Sequence, residues 1–297
     1  WIEASSGGAS SLNDLTDVYF DTTGGDQNLF IGSVPSSIDS GAGSNTATGI
    51  SALDSITTGD DNSAYGKETL TALTTGVRNT AFGSHSLKAI STSKDNTAFG
   101  NQALSNLADY SLNNTAIGRS AGGTLTSGHN NSFLGYQAYP SSNSVDNEIT
   151  LGNSSNSVLR CQATSITSIS DIRDKKNIVK INKALEFTNK LNPVKFDWNC
   201  RDGSRVDIPD MGFIAQELKE AQKETNITVP GLVYESNPDK LEASYGKLLP
   251  VLTKAIQELS EENGKLKVEN SKLKEENKKT NDKLDNLIEK LKLSGLI

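Results

Sequence analysis

Asn79-Thr80-Ala81-Phe82-Gly83 and Asn96-Thr97-Ala98-Phe99-Gly100 lie 17 residues apart and carry the same message twice. The pattern, Asn-Ser/Thr-Ala-x-Gly, also occupies 45–49, 62–66 and 114–118, with looser copies at 28–32 and 131–135. The step from Asn to Asn is 17 residues throughout, except for 18 between Asn96 and Asn114. A worn last copy reads from Asn147 to Gly152. Leucine stands eight residues after four of these asparagines, at Leu53, Leu70, Leu87 and Leu104. Each turn therefore offers two apolar marks, that leucine and the residue at Tyr65, Phe82, Phe99 or Ile117. Seventeen residues are too few for a helical pair and suit a coil of two short strands per turn. Stacked coils pair each strand with its copy one period on, in parallel, and share their apolar faces. Asn and Gly supply the corners, and Asp61, Asp95 and Asp146 read as turn formers.

Composition agrees with a shaft. At 34% apolar and 6% aromatic residues, the 297-residue chain lacks the material for one large globular core. Residues 1–169 carry 6 basic and 14 acidic side chains, whereas 170–297 carry 23 and 22. An acidic first half argues against nucleic acid, whose phosphates demand basic patches. No run of 18 apolar residues exists to span a membrane. Cys161 and Cys200 are too few and too far apart for a disulfide framework or a structural zinc site, and read as reduced thiols. His85 and His129 have no spaced metal partner and read as surface residues, so no metal and no cofactor is expected. The shaft's acidic residues sit at turns without a cluster, which disfavours the paired carboxylates of a glycan-cleaving spike. With Trp1 first and Met211 the only methionine, the chain reads as a piece of a longer protein. Residues 1–27 read as a cap or linker, and 28–152 as the repeats.

After Gly152 the period is lost. Residues 153–169, rich in Ser and Thr, read as a connector strand. Next comes Ser170-Asp171-Ile172-Arg173-Asp174-Lys175-Lys176-Asn177-Ile178. Read from the residues alone, Ser170 can be a helix N-cap with Asp171 in the first turn. Because Ser and Lys five apart are common, that reading prevails on the residues alone over the alternative, a nucleophile whose proton a neutral Lys175 takes. Further on, 180–190 has helical spacing, with Ile181, Leu185 and Phe187 as core candidates. Pro193 ends it, and Val194, Phe196 and Trp198 alternate as a strand. A helix follows from Gly212 to Lys223, and extended chain from Thr228 to Tyr234. Trp198 and Phe213 are expected in the core. From 248 a heptad frame runs to the end. With Ile256 at a, the a positions continue through Asn263, Asn270, Asn277, Leu284 and Leu291, and the d positions are Leu259, Leu266, Leu273, Thr280 and Leu287. Three successive asparagines at a lower the stability of such a stalk.

Two resemblances sharpen this. The repeats resemble the β-roll heads of trimeric autotransporter adhesins and similar repeats in phage tail fibres, which implies three chains packed side by side. The block 170–178 resembles the self-cleaving intramolecular chaperones at the ends of endosialidase tailspikes and other phage fibres. It does so together with Leu191–Trp198, Met211–Leu218, Tyr245–Leu252 and Ala255–Leu259. That resemblance implies cleavage between Ile169 and Ser170, with Ser170 as nucleophile, Lys175 as general base, and Asp171, Arg173 and Asn177 as the supporting motif. Asp174 departs from the leucine common there. The expected fold class is then a mainly β repeat shaft, a parallel β-roll of about 17 residues per turn. A small α+β chaperone domain (170–247) and a C-terminal coiled coil (248–297) follow, all in a homotrimer. The implied function is a virion fibre or spike segment, folded in the host cytoplasm, that attaches to a host-surface glycan or protein receptor. Other virion tail proteins would be met through a missing N-terminus. The competing readings are a bacterial trimeric surface adhesin with the same chaperone, an uncleaved fibre that retains it, and a cellular self-cleaving regulator related by that chaperone.

Overall fold

The structure, a computed structural model, describes residues 18–20, 27–36, 38–39, 41–156, 158–162 and 166–294. Most of the cap or linker expected over 1–27 lies outside these residues. The chain divides into two compact units, one holding the repeats and one most of the C-terminal region.

The repeats form a β-solenoid. Strand β1 (Val18–Phe20) pairs antiparallel with β2 (Leu29–Ile31). From β2 onward every strand pairs parallel with its copy one turn on. These are β3 (Thr46–Thr48), β4 (Ser63–Tyr65), β5 (Thr80–Phe82), β6 (Thr97–Phe99), β7 (Thr115–Ile117), β8 (Ser132–Leu134) and β9 (Ile149–Leu151). The register keeps like on like, Ala64 beside Ala81 and Phe82 beside Phe99. Each described turn has one regular strand rather than two. The rest of the coil is turns whose backbone still bonds across one period, as in Thr57 N–H to Thr74 C=O at 3.0 Å and Thr74 N–H to Ser91 C=O at 2.9 Å. Isolated bridges such as Lys94 with Leu112 are what remains of a second strand.

Three-residue strands put their middle side chain inward, and that position is Ala47, Ala64, Ala81, Ala98 and Ala116, all buried. The predicted leucines fill the space behind them, and a further row completes the core at Ile56, Leu73, Ile90, Leu107 and Leu125. Tyr65, Phe82, Phe99 and Ile117 instead face outward. The slim interior trades volume between rows. In the turn where Gly122 stands in the leucine place, Phe133 replaces alanine on the next strand. A Cβ on Gly122 would lie 2.7 Å from the Phe133 ring. Leu53, Leu70, Leu87 and Leu104 themselves hold left-handed backbone, with φ of 51°, 52°, 48° and 49°. That is uncommon for a side chain of this size, and burial offsets it.

The repeat asparagines are buried, and each is fully bonded. In Asn62, Oδ1 accepts the backbone N–H of Asn79 at 3.0 Å and its side-chain amide at 3.2 Å, while Nδ2 donates to Asn45 Oδ1 and Gly76 C=O. An unbroken amide ladder results, without the penalty of an unmet polar group. It ends at Glu148, whose backbone N–H donates to Asn131 Oδ1 at 2.9 Å. The last copy is thus in register through Glu148, not Asn147; Asn147 pairs with Asn130 at a corner. The repeat glycines pack equally closely: a Cβ on Gly83, at φ 121°, would meet the Gly100 carbonyl carbon at 2.6 Å. The 18-residue turn absorbs its extra residue near Tyr110, which sits at φ 63° and is 82% exposed.

In the C-terminal region, α1 (Ala184–Thr188) is shorter than the expected 180–190 helix. Lys183 has left-handed backbone, which stops the helix from starting earlier, and Ile181 lies outside the core. Strands β10 (Val194–Asn199) and β11 (Val206–Gly212) form a two-stranded sheet. Helix α2 (Ala215–Thr225) and the pair β12 (Val233–Tyr234) and β13 (Glu242–Ala243) follow. The 46-residue helix α3 (Leu248–Leu293) ends the described chain. Phe187, Leu218, Leu232, Leu248, Val251 and Ala255 are the centre of a small core, with Phe213 packed against it. Trp198 is not in that core. It is half-buried, edge-on to Phe196, and its indole N–H donates to Asp210 at 2.9 Å. In α3 only Leu248, Val251 and Ala255 are buried; the heptad leucines from Leu259 to Leu287 are exposed.

Candidate self-cleavage site

No strand occurs among the described residues of 153–169, so the connector is irregular rather than a strand, and Ile166 and Ile169 are 93% and 87% exposed. The chain then tightens. Asp171, in extended conformation, caps a 3-10 turn over Ile172–Asp174 and accepts the Arg173 backbone N–H at 2.8 Å. The Arg173 guanidinium grips the same carboxylate twice, from Nε at 3.0 Å and from Nη2 at 2.6 Å. The turn closes through Lys175 N–H to Ile172 C=O at 3.1 Å. Lys175 leaves the turn extended, at φ −122°, and its side chain folds back on the start of the segment. Its Nζ donates to Ser170 Oγ at 2.7 Å and to Ser170 C=O at 3.1 Å.

Five residues in a helix would put Ser170 and Lys175 on different sides; one tight turn puts them in contact. Asn177, at φ 54°, supplies the next change of direction. The Arg173 side chain first, and its N–H second, hold the Asp171 carboxyl below the usual carboxylate range, and Asp171 raises Arg173 in return. Asp171 is therefore occupied with Arg173 and does not pair with Lys175. The side chain of Asp174, the residue out of pattern, makes no hydrogen bond or ion pair among the described residues. Both Ser170 and Lys175 are exposed. A lysine acts as a base only when neutral, and burial or nearby positive charge is what favours that form. The single chain supplies the contact and leaves both residues open to water.

The histidines lie on the shaft. His85 Nε2 is 3.1 Å from Glu68 and its Nδ1 2.7 Å from Ser84 Oγ, while His129 Nδ1 accepts the Leu112 N–H at 3.2 Å. No group of three metal-ligating side chains occurs among the described residues. Neither Cys161 nor Cys200 forms a disulfide among the described residues. No described helix is long and apolar enough to cross a membrane. The pairing of Arg173 with Asp171 is the part of the arrangement that the sequence reading does not contain.

Residues 170–227 match the family model described as chaperone of endosialidase, Peptidase_S74. The match begins at Ser170 and takes in the Lys175 turn, α1, the β10–β11 sheet and α2. Comparison with curated proteins and with solved structures gives no match.

Proposed function

We propose that the chain is a segment of a virion fibre or spike for host-surface attachment. In this reading the C-terminal region is a folding device that gathers three copies and is then cut off between Ile169 and Ser170. The observation that carries it is the family match starting at the serine whose Oγ lies 2.7 Å from Lys175 Nζ. The family implies a self-cleaving serine peptidase, and the Ser170–Lys175 contact supports the proposed dyad.

The chemistry follows from where Ser170 stands. Its Oγ attacks the carbonyl carbon of Ile169, the residue just before it, while neutral Lys175 takes the hydroxyl proton. The proton passes to the Ser170 amide nitrogen as the Ile169–Ser170 C–N bond breaks, leaving an ester from Ile169 to Ser170 Oγ. One water hydrolyses that ester. The products are an Ile169 carboxylate and a fragment beginning with Ser170 and its free amine. Each chain turns over once, on itself.

Timing has a physical purpose. A parallel solenoid pairs residues 17 apart at every step, and several chains must also agree on register, so nucleation is slow. A C-terminal unit that associates first raises the local concentration of the rest. The exposed heptad seam of α3 suits that role, and its three asparagines at a make it a clamp that can open again. Removing the clamp afterwards leaves a shaft that persists because unfolding is slow. The receptor, a glycan or a protein on the host surface, would be met by the shaft, and the fibre would also meet other virion tail proteins.

Denaturing gels of the wild-type chain and of Ser170→Ala and Lys175→Ala test the assignment. Two fragments for the wild type and one full-length band for each variant are expected. Identical patterns for all three proteins would remove the dyad.

A further inference from the structure

Along the shaft, one row of large apolar side chains faces water turn after turn. Tyr65, Phe82, Phe99, Ile117, Leu134 and Leu151, the third residues of β4 to β9, are between 37% and 54% exposed. At roughly 4.8 Å per rung, the six make a stripe about 24 Å long. No rung carries a charge. The first residues of the same strands are only Ser or Thr until Ile149, so little stands beside the stripe to hold a neighbour off. Exposed apolar rows of this extent mark contact surfaces.

The rings indicate what kind of contact. Tyr65 and Phe82 stack with centroids 5.2 Å apart, and Phe82 and Phe99 at 4.8 Å with planes 8° apart. Their faces cover one another and their edges point outward. A sugar binds an aromatic side chain by lying on its face, and the Phe82 face is taken on both sides. Ring edges and the methyl groups of Ile117, Leu134 and Leu151 suit a protein surface of the same make. The chain has a second unpartnered apolar row, the heptad seam of α3, which calls for other copies on independent grounds.

We propose that this stripe is the face on which a second copy of the chain lies, parallel and ladder to ladder. The inference rests on the multi-chain reading above and adds where the shafts meet. It also gives the C-terminal unit a specific task. A ladder with the same rung every turn fits its copy nearly as well after slipping one turn, because Tyr, Phe, Phe, Ile, Leu and Leu differ little in what they bury. The stripe provides adhesion and not register, so register has to be set by a non-repeating part of the chain before the shafts close.

The test uses the full chain carrying Ser170→Ala, with the photo-crosslinker p-benzoylphenylalanine at position 99, 110 or 266 in turn. Position 99 is on the stripe, 110 is exposed outside it, and 266 is on the heptad seam. The expected result is chain-to-chain product from 99 and 266 and none from 110, with the adducts of 99 mapping to residues 65–151 of the stripe. Product from 266 without product from 99, or adducts of 99 off the stripe, overturns the proposal and spares the multi-chain reading. No product from either overturns both. In a background of Phe82→Lys with Phe99→Lys, crosslinking from position 134 should fall several-fold while that from 266 is unchanged; equal loss at both would also count against it.

Discussion

The shaft and the long helix are both repetitive, but they satisfy their repeats differently. In the solenoid the repeat asparagines, alanines and leucines stack on the matching positions of the next turn of the same chain. In α3 only Leu248, Val251 and Ala255 are buried, and the leucines from 259 to 287 stand in water. A parallel coil carries its own partner; a heptad seam does not. The first region can be judged complete from one chain, apart from its outward stripe, whereas the second leaves its apolar row exposed.

Breaking the shaft's inner packing should have the largest effect. Phe133→Ala empties the space beside Gly122 and should cost about 3–5 kcal/mol. Hydrogen exchange should show it as lost protection in β7 to β9, with α3 unaffected. Next, Asn79→Ala leaves Asn62 Oδ1 and Ser93 C=O without the amide that bonds them. A loss of about 1–3 kcal/mol is expected, spreading to the turns on either side. If that variant unfolds at the wild-type denaturant concentration, the amide ladder is not what holds the coil.

The period, the parallel pairing and the buried leucines were legible in the sequence because a 17-residue repeat leaves few alternatives. The outward direction of Tyr65, Phe82 and Phe99 was available too, since alternation puts them opposite an inward alanine, but their chemistry suggested core. What could not be read was the backbone: no rule assigns leucine to a left-handed corner, so the coil seemed to need a second strand. The row from Ile56 to Leu125 was missed because it varies between Ile and Leu and lies outside the pentapeptide. At the site, Ser170 and Lys175 were legible as a pattern, while the Asp171–Arg173 grip was not, because it depends on the 3-10 turn.

On the helix side the expected effects run the other way. Replacing Asn263, Asn270 and Asn277 together with Ile should raise the melting temperature of α3, followed by circular dichroism at 222 nm, and slow release of the clamp. No gain would mean that these positions are not the seam. Smaller still is the effect at the turn. Arg173→Gln frees the Asp171 carboxylate beside Lys175, which favours the charged amine, so cleavage should slow and its pH profile move upward. Arg173→Lys should restore part of the rate. Because Asp171 is held below its ordinary value, the grip is intact above the ordinary carboxylate value of about 3.9 and is lost as pH falls through the lowered one.

The proposed function needs more than one chain. Sedimentation equilibrium of the intact chain carrying Ser170→Ala decides this. A species of three times the 31.7 kDa chain mass is expected. A single 31.7 kDa species at every concentration would overturn the proposal.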